Sequence, residues 1–449
     1  MLRTTLPLIA LLAVCYPVGL QEIRADEIKI LAPAELTPLA AESLHWIRWQ
    51  TDSSPASESQ LNLSSSFDQG QSWIPIKQLT ASESEYLWEI PNQPGKTCLL
   101  RLQTADGKQQ STVSLKIVPS RKVTNYEWKN ITMKAPFAFR DGAGALVYKD
   151  KMWLLGGWNP RDKTYFPRIC NNEVWNSVDG LHWDLIKENT FLDKNFDPHQ
   201  DWEGRHTAGY TVFQNKMWIV GGDVNQGHYH QDVWNSSDGK TWKRLDSDVP
   251  PWAPRALHHT LTFKEKIWVI GGQTIPGFAP AQEIFYRDIW NTSDGIHWEE
   301  VKPQKPYWSA RGMIGGNVVF KDRMWILGGG TYDTPTTPTR EFYNDVWSSA
   351  DGVTWKEHTA AAPWFPRQYH DVAVFDGRMW VMEGYNGQGG NRKDVWYSDD
   401  GENWYELPNT PWNPRHAASV FVFDNALWMV TGNNFQSDVW KLSRSDISK

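Results

Sequence analysis

The sequence predicts an all-β protein in which a four-stranded unit is repeated six times behind a smaller β-rich N-terminal domain. Three observations carry this prediction. An apolar hairpin arm containing Trp and ending at glycine recurs six times, each arm is followed by an acidic-Val/Ile-Trp triplet, and residues 28–118 show short strand-like runs without that period.

At the N-terminus, Arg3 precedes the apolar run 6–14, and a small residue, Ala25, follows polar ones. This is the layout of a secretory signal peptide over residues 1–25, so a secreted or periplasmic protein is expected. Val14 stands before Cys15, where a lipoprotein signal needs a small residue, so lipid anchoring is not expected. No later stretch reaches the ~18 apolar residues of a membrane span. Cys98 and Cys170 then remain in different domains, which excludes a disulfide framework. The net charge of −7 includes no basic block, which argues against nucleic acid as a partner.

Residues 26–118 read as a β-sandwich: runs such as Leu44–Trp49, Gln60–Ser64 and Leu99–Gln103 are bounded by Gly, Pro, Ser and Asp. Ser66-Phe67-Asp68-Gln69-Gly70-Gln71-Ser72-Trp73 resembles the Asp-box of sialidases and of bacterial immunoglobulin-like domains. There the Asp and Gly form a self-bonded turn that Trp anchors, a folding device rather than a catalytic motif. Residues 119–122 are the expected linker.

The repeats follow. The arms carry Trp153, Trp218, Trp268, Trp325, Trp380 and Trp428; four end in Gly-Gly, the fifth in Glu383-Gly384 and the sixth in Thr431-Gly432. The triplets end in Trp175, Trp234, Trp290, Trp347, Trp396 and Trp440, and after the first five an Asp-Gly turn leads to one more Trp, as in Asp179-Gly180-Leu181-His182-Trp183. Asp-Gly between β-rich runs is a strong hairpin signal, so each unit holds strands a to d. This pattern resembles the kelch repeat, and the resemblance, covering 122–443, implies a six-bladed kelch-type β-propeller over 123–443 with a tail at 444–449. The sixth unit lacks its outer strand, and Tyr126-Glu127-Trp128, within a strand expected at 125–131, supplies it and closes the ring without an open sheet edge.

Before each strand a stands an aromatic-x-x-Arg: Phe137 with Arg140, then Trp202, Trp252, Trp308, Trp364 and Trp412 with Arg205, Arg255, Arg311, Arg367 and Arg415. Six arginines match six acidic residues at the starts of strands c. The expectation is one structural pair per blade with Trp against the guanidinium, not an anion-binding ring.

Function is expected on the face bearing the b-to-c and d-to-a loops, where Arg168, His228, His230, Tyr286, Tyr332, Arg340, Tyr385 and Asn386 mix rings, amides and cations in a way that suits sugars. His206, His258, His370 and His416 sit near the starts of innermost strands and are expected as hydrogen-bonded residues of the channel mouth. No metal site and no cofactor is expected. Glu383 breaks the repeat, since a carboxylate there needs a partner or a wet cavity, and His370 is the expected partner.

The reading that follows is an exported, monomeric recognition protein for an extracellular glycan or protein. The alternative rests on similarity to bacterial six-bladed kelch proteins that interconvert sialic acid anomers; it implies Glu383 and His370 as acid and base, with Arg168 or Arg340 holding a carboxylate. Galactose-oxidase-like copper chemistry has no matching Tyr-Cys constellation here. A sialidase would need arginines that the acidic residues already occupy.

Overall fold

The computed structural model describes residues 28–51, 60–159, 169–225, 228–245, 250–275, 284–313, 315–332 and 339–445. The expected signal peptide and Arg168 lie outside them. Two compact units are present. Among the described residues, the first comprises 28–37, 47–86 and 97–115; the second comprises those from Lys116 onward together with Pro38–Trp46 and Leu87–Lys96. Those two short segments, which the sequence reading places in the N-terminal domain, fold with the repeats: Leu44 N–H donates to Trp404 O at 3.1 Å and Ala40 N–H to the Asn403 side chain at 2.8 Å.

The N-terminal strands form a three-stranded and a five-stranded sheet. Their alternation buries Ile47, Trp49, Leu61, Leu63, Leu100 and Leu102. The Asp68 turn forms as expected. Its carboxylate accepts the Ser72 N–H at 2.9 Å, Ser66 Oγ accepts the Gly70 N–H at 2.9 Å, and Arg101 lies 3.8 Å over the Trp73 ring.

The second unit is a six-bladed β-propeller of four-stranded antiparallel sheets. In blade 6 the strand Val439–Arg444 pairs with Tyr126–Thr132, Leu442 opposite Trp128, so one sheet holds both ends of the propeller chain. The Asp-Gly turns repeat one arrangement: in blade 2, Asp238 Oδ1 accepts the Lys240 and Thr241 N–H groups, and Trp242 Nε1 donates to Gly239 O at 3.0 Å.

Glycine at these turns is required by the neighbouring blade. A Cβ on Gly239 would lie 2.3 Å from the Trp153 ring of blade 1, and one on Gly295 would lie 2.4 Å from Trp218 of blade 2. The arm Trp of each blade is thus the surface on which the next blade's turn rests. Blade 6 has no such turn, and Tyr126 of the closing strand meets Trp380 instead, edge-on at 4.8 Å.

Candidate functional site

The loops of one face are held by the arginine series. Each of the six arginines is at most 1% exposed and pairs with its acidic residue at 2.5–2.6 Å. Each also donates to the carbonyl at the end of strand b at 2.6–3.1 Å. The Trp of the triplet donates to the same carboxylate at 2.6–3.0 Å. Each guanidinium thus spends its terminal nitrogens on partners of its own blade, so the series is structural.

The expected Trp stacking needs correction. The preceding aromatic ring lies 5.6–6.0 Å from the guanidinium in blades 1, 3, 5 and 6, at the edge of a cation–π contact. Tyr286 and Tyr343 sit far closer, at 3.6 and 3.9 Å over Arg255 and Arg311. Tyr286, named as a ligand residue from sequence, therefore covers a structural arginine.

Inside this face lies a cavity of about 250 Å³ lined by the starts of the innermost strands, including Gly209, His258, Thr260, Tyr369, His370 and Asp371. The strands come close because small residues begin them. A Cβ on Gly209 would sit 2.0 Å from Thr260 Oγ1. A chain of backbone hydrogen bonds links blades around the mouth, Ala417 to Tyr369, Gly142 to Ala417, Thr207 to Gly142 and Leu257 to Thr207, at 2.7–3.2 Å. In blade 4 the pattern changes, and Gly316 N–H donates to His370 O at 2.8 Å.

Glu383 and His370 do not form a pair. His370, 2% exposed, places Nε2 2.7 Å from Leu327 O of blade 4. Burial, with Arg367 nearby, pushes its pKa down to about 3, so it is neutral. The slot beside Gly328 of blade 4 is filled from blade 5 by His370, just as His258 fills the slot beside Gly221. Blade 6 has Ala418 at the equivalent position, and its N–H donates to Glu383 Oε1 of blade 5 at 3.5 Å.

The partner of Glu383 is Asp371, which lines the cavity. Burial and then the neighbouring Asp371 carboxylate hold Glu383 well above the usual carboxylate range, and burial raises Asp371 to about 7. One oxygen of each has no other hydrogen-bond partner, as expected of two carboxyl groups sharing a proton.

Four residues named from sequence do converge. Arg340 lies 3.9 Å over the Tyr332 ring and 5.9 Å from the Tyr385 ring. Tyr385 is 5.8 Å from His416, and His416 is 5.2 Å from Tyr369 of the cavity wall. All five are half-buried.

Their backbones are anchored from beneath. Buried Gln368 donates to Thr331 O and Glu341 O at 2.8 and 2.9 Å, pinning both ends of the blade 4 loop, and Tyr332 N–H donates to the Gln273 side chain at 3.1 Å. Burial, then Arg340, lowers His416 to about 4. Neutral His416 faces Asn391 Oδ1 through Nδ1 at 2.6 Å, which leaves Nε2 as an acceptor. Asn386 follows Tyr385 at the N-terminus of the 3₁₀ turn Gly387–Gly389. Tyr369, Gln368 and Asn391 were not singled out from sequence. Tyr369 carried a usable signal, a large ring at the left-handed position (φ 54°) where other blades place Gly142, Thr207, Leu257 or Ala417.

Of the remaining histidines, His258 is buried on Thr260 at 2.9 Å. His206 is held by Asp223 at 2.8 Å. Burial opposes protonation of His206, but the Asp223 carboxylate prevails and raises it well above its ordinary value. His228 and His230 lie together on the c strand of blade 2, facing Glu203.

No protein-family model matches the chain. The chain is 25% identical over 247 residues to the kelch repeat protein M-T8 of Myxoma virus (strain Lausanne), covering 54% of this chain and 41% of that one. It is 28% identical over 159 residues to the leucine-zipper-like transcriptional regulator 1 homolog of Drosophila melanogaster, covering 34% and 15%. The chain thus spans less than half the length of these curated relatives. Among solved structures, YjhT is 12% identical with a TM-score of 0.48, covering 68% of this chain and 94% of that chain. The sequence similarity supports a kelch-like propeller.

Proposed function

We propose that this kelch-like propeller is an exported recognition protein that binds an acidic carbohydrate at the channel mouth, over blades 4 to 6. The observation that carries the reading is the convergence of Arg340 with Tyr332, Tyr385 and His416. Half-buried rings offer faces for a sugar, a guanidinium suits a carboxylate, and a neutral imidazole with nearby amides suits hydroxyl groups. Loops pinned by Gln368 and Gln273 keep the cost of ordering low. Catalysis through Glu383 and His370 is not carried forward, because His370 meets Leu327 O whereas Glu383 meets Asp371 and the Ala418 N–H.

A glycan array probed with the full chain, its Arg340→Gln variant and its Tyr385→Ala variant tests the proposal. Acidic glycans are expected to be retained by the wild type and lost by Arg340→Gln. Retention of neutral glycans alone, or of none, overturns it and points to a protein partner.

A further inference from the structure

We propose that Glu203, His228 and His230 form a transition-metal site, suited to Zn²⁺, on blade 2. This goes beyond the carbohydrate reading and does not depend on it. The starting point is two departures from the repeat within one blade. The residue after the conserved aromatic is Ala138, Ala253, Ser309, Phe365 or Asn413 in the other blades and Glu203 here; the residue two before the triplet acid is Asn171, Tyr286, Tyr343, Arg392 or Gln436 elsewhere and His230 here. Sequence reading named both histidines as ligand residues but passed over their alternate spacing on one strand, and it did not consider Glu203.

The fold brings the three together. Blade 2 continues the pairing of strands b and c past the glycine pair, with Gly222 opposite His230, Asp223 opposite Tyr229 and Asn225 opposite His228. In this extended hairpin, residues 228 and 230 point to the same side. Tyr229, on the other side, is fixed to blade 3: its hydroxyl donates to Ile275 O at 3.1 Å and accepts the Ile275 N–H at 2.8 Å. Glu203 follows fully buried Trp202, and its carbonyl accepts Arg205 Nε at 3.0 Å. The donors therefore stand on rigid supports, as a metal site requires.

The distances fit. Zn–N and Zn–O bonds of about 2.0–2.1 Å at tetrahedral angles place donor atoms about 3.3 Å apart. Glu203 Oε2 lies 3.2 Å from His230 Nε2 and 3.8 Å from His228 Nε2, and all three donors fall within 4.8 Å of one another. His230 Nε2 is buried and makes no hydrogen bond. Two imidazoles and one carboxylate match the donor set of open zinc sites. His228 is 51% exposed, which leaves room for water or a ligand atom in the fourth position.

The test uses the full, tag-free chain stripped with a chelator, titrated with Zn²⁺ by calorimetry and with Co²⁺ by visible absorption. One equivalent of each is expected, with the absorption of low-coordinate Co²⁺. His228→Ala and Glu203→Gln should each weaken Zn²⁺ binding about tenfold or more, while the exposed controls His182→Ala and His297→Ala bind as wild type. His228→Ala removes a half-exposed side chain and keeps the fold, so its melting temperature without metal should match wild type. No binding event, or binding that His228→Ala leaves unchanged, overturns the proposal.

Discussion

The carboxyl pair of Glu383 and Asp371 sits where four other blades have glycine at the arm end, and its chemistry follows from burial. Both groups hold their protons to higher pH than in the unfolded chain. The folded state therefore binds more protons from about pH 4 upward, and this contribution to stability is complete below about pH 4 and lost as pH rises through the folded values. For Asp371 that loss runs from about pH 4 and is complete a little above its folded value of about 7. Glu383→Gln, which removes one of the two acids, should raise the melting temperature relative to wild type at pH 8 and change it little at pH 4.5. Thermal melts across that range check this, and parallel profiles would remove the pair as the source. Glu383 was visible in the sequence as a broken rule. Its partner was not: Asp371 stands on the neighbouring strand of the same blade, opposite Met382 and next to His370, and the repeat pattern does not show which of two adjacent residues a side chain meets.

At the scale of the strand and turn, two devices recur. The first is the buried Arg-carboxylate pair. Arg415 and Asp438 are both fully buried, whereas Glu173, the partner of Arg140, is 26% exposed. Removing one partner of a buried pair costs about 3–5 kcal/mol, so Arg415→Ala should fall in that range by denaturant unfolding and Arg140→Ala should cost less. The second device is the turn glycine. Gly239 and Gly377 both have positive φ, but a Cβ would strike Trp153 at the first and meet nothing within 4 Å at the second. Gly239→Ala should therefore be clearly more destabilising than Gly377→Ala in the same assay; equal costs would mean that backbone strain alone selects glycine. The pairs and turns were legible because each lies within one repeat. The stacking of Tyr286 and Tyr343 on arginines, rather than the Trp series, was not, since spacing does not reveal which ring a guanidinium reaches.

For the whole molecule, closure joins residues more than 250 positions apart, with Trp128 opposite Leu442 and Tyr126 against Trp380. A chain ending after Gly432 would lack the blade 6 strand Val439–Arg444 and leave Tyr126–Thr132 unpaired. It should aggregate rather than elute as a monomer on size exclusion. The missing outer strand made this closure readable in advance. The binding face was legible in part: Tyr332, Arg340 and Tyr385 were named from loop composition and His416 from its place near the start of strand a, but their meeting beside Tyr369 depends on loop anchoring by Gln368 and Gln273, which no motif announces. The claim that this cluster is the functional centre is tested most directly by calorimetric titration of the highest-scoring acidic glycan into wild type, Arg340→Gln and His228→Ala. Loss of about tenfold or more of the affinity in Arg340→Gln, with His228→Ala binding as wild type, is the predicted result; equal affinity of Arg340→Gln and wild type would contradict it.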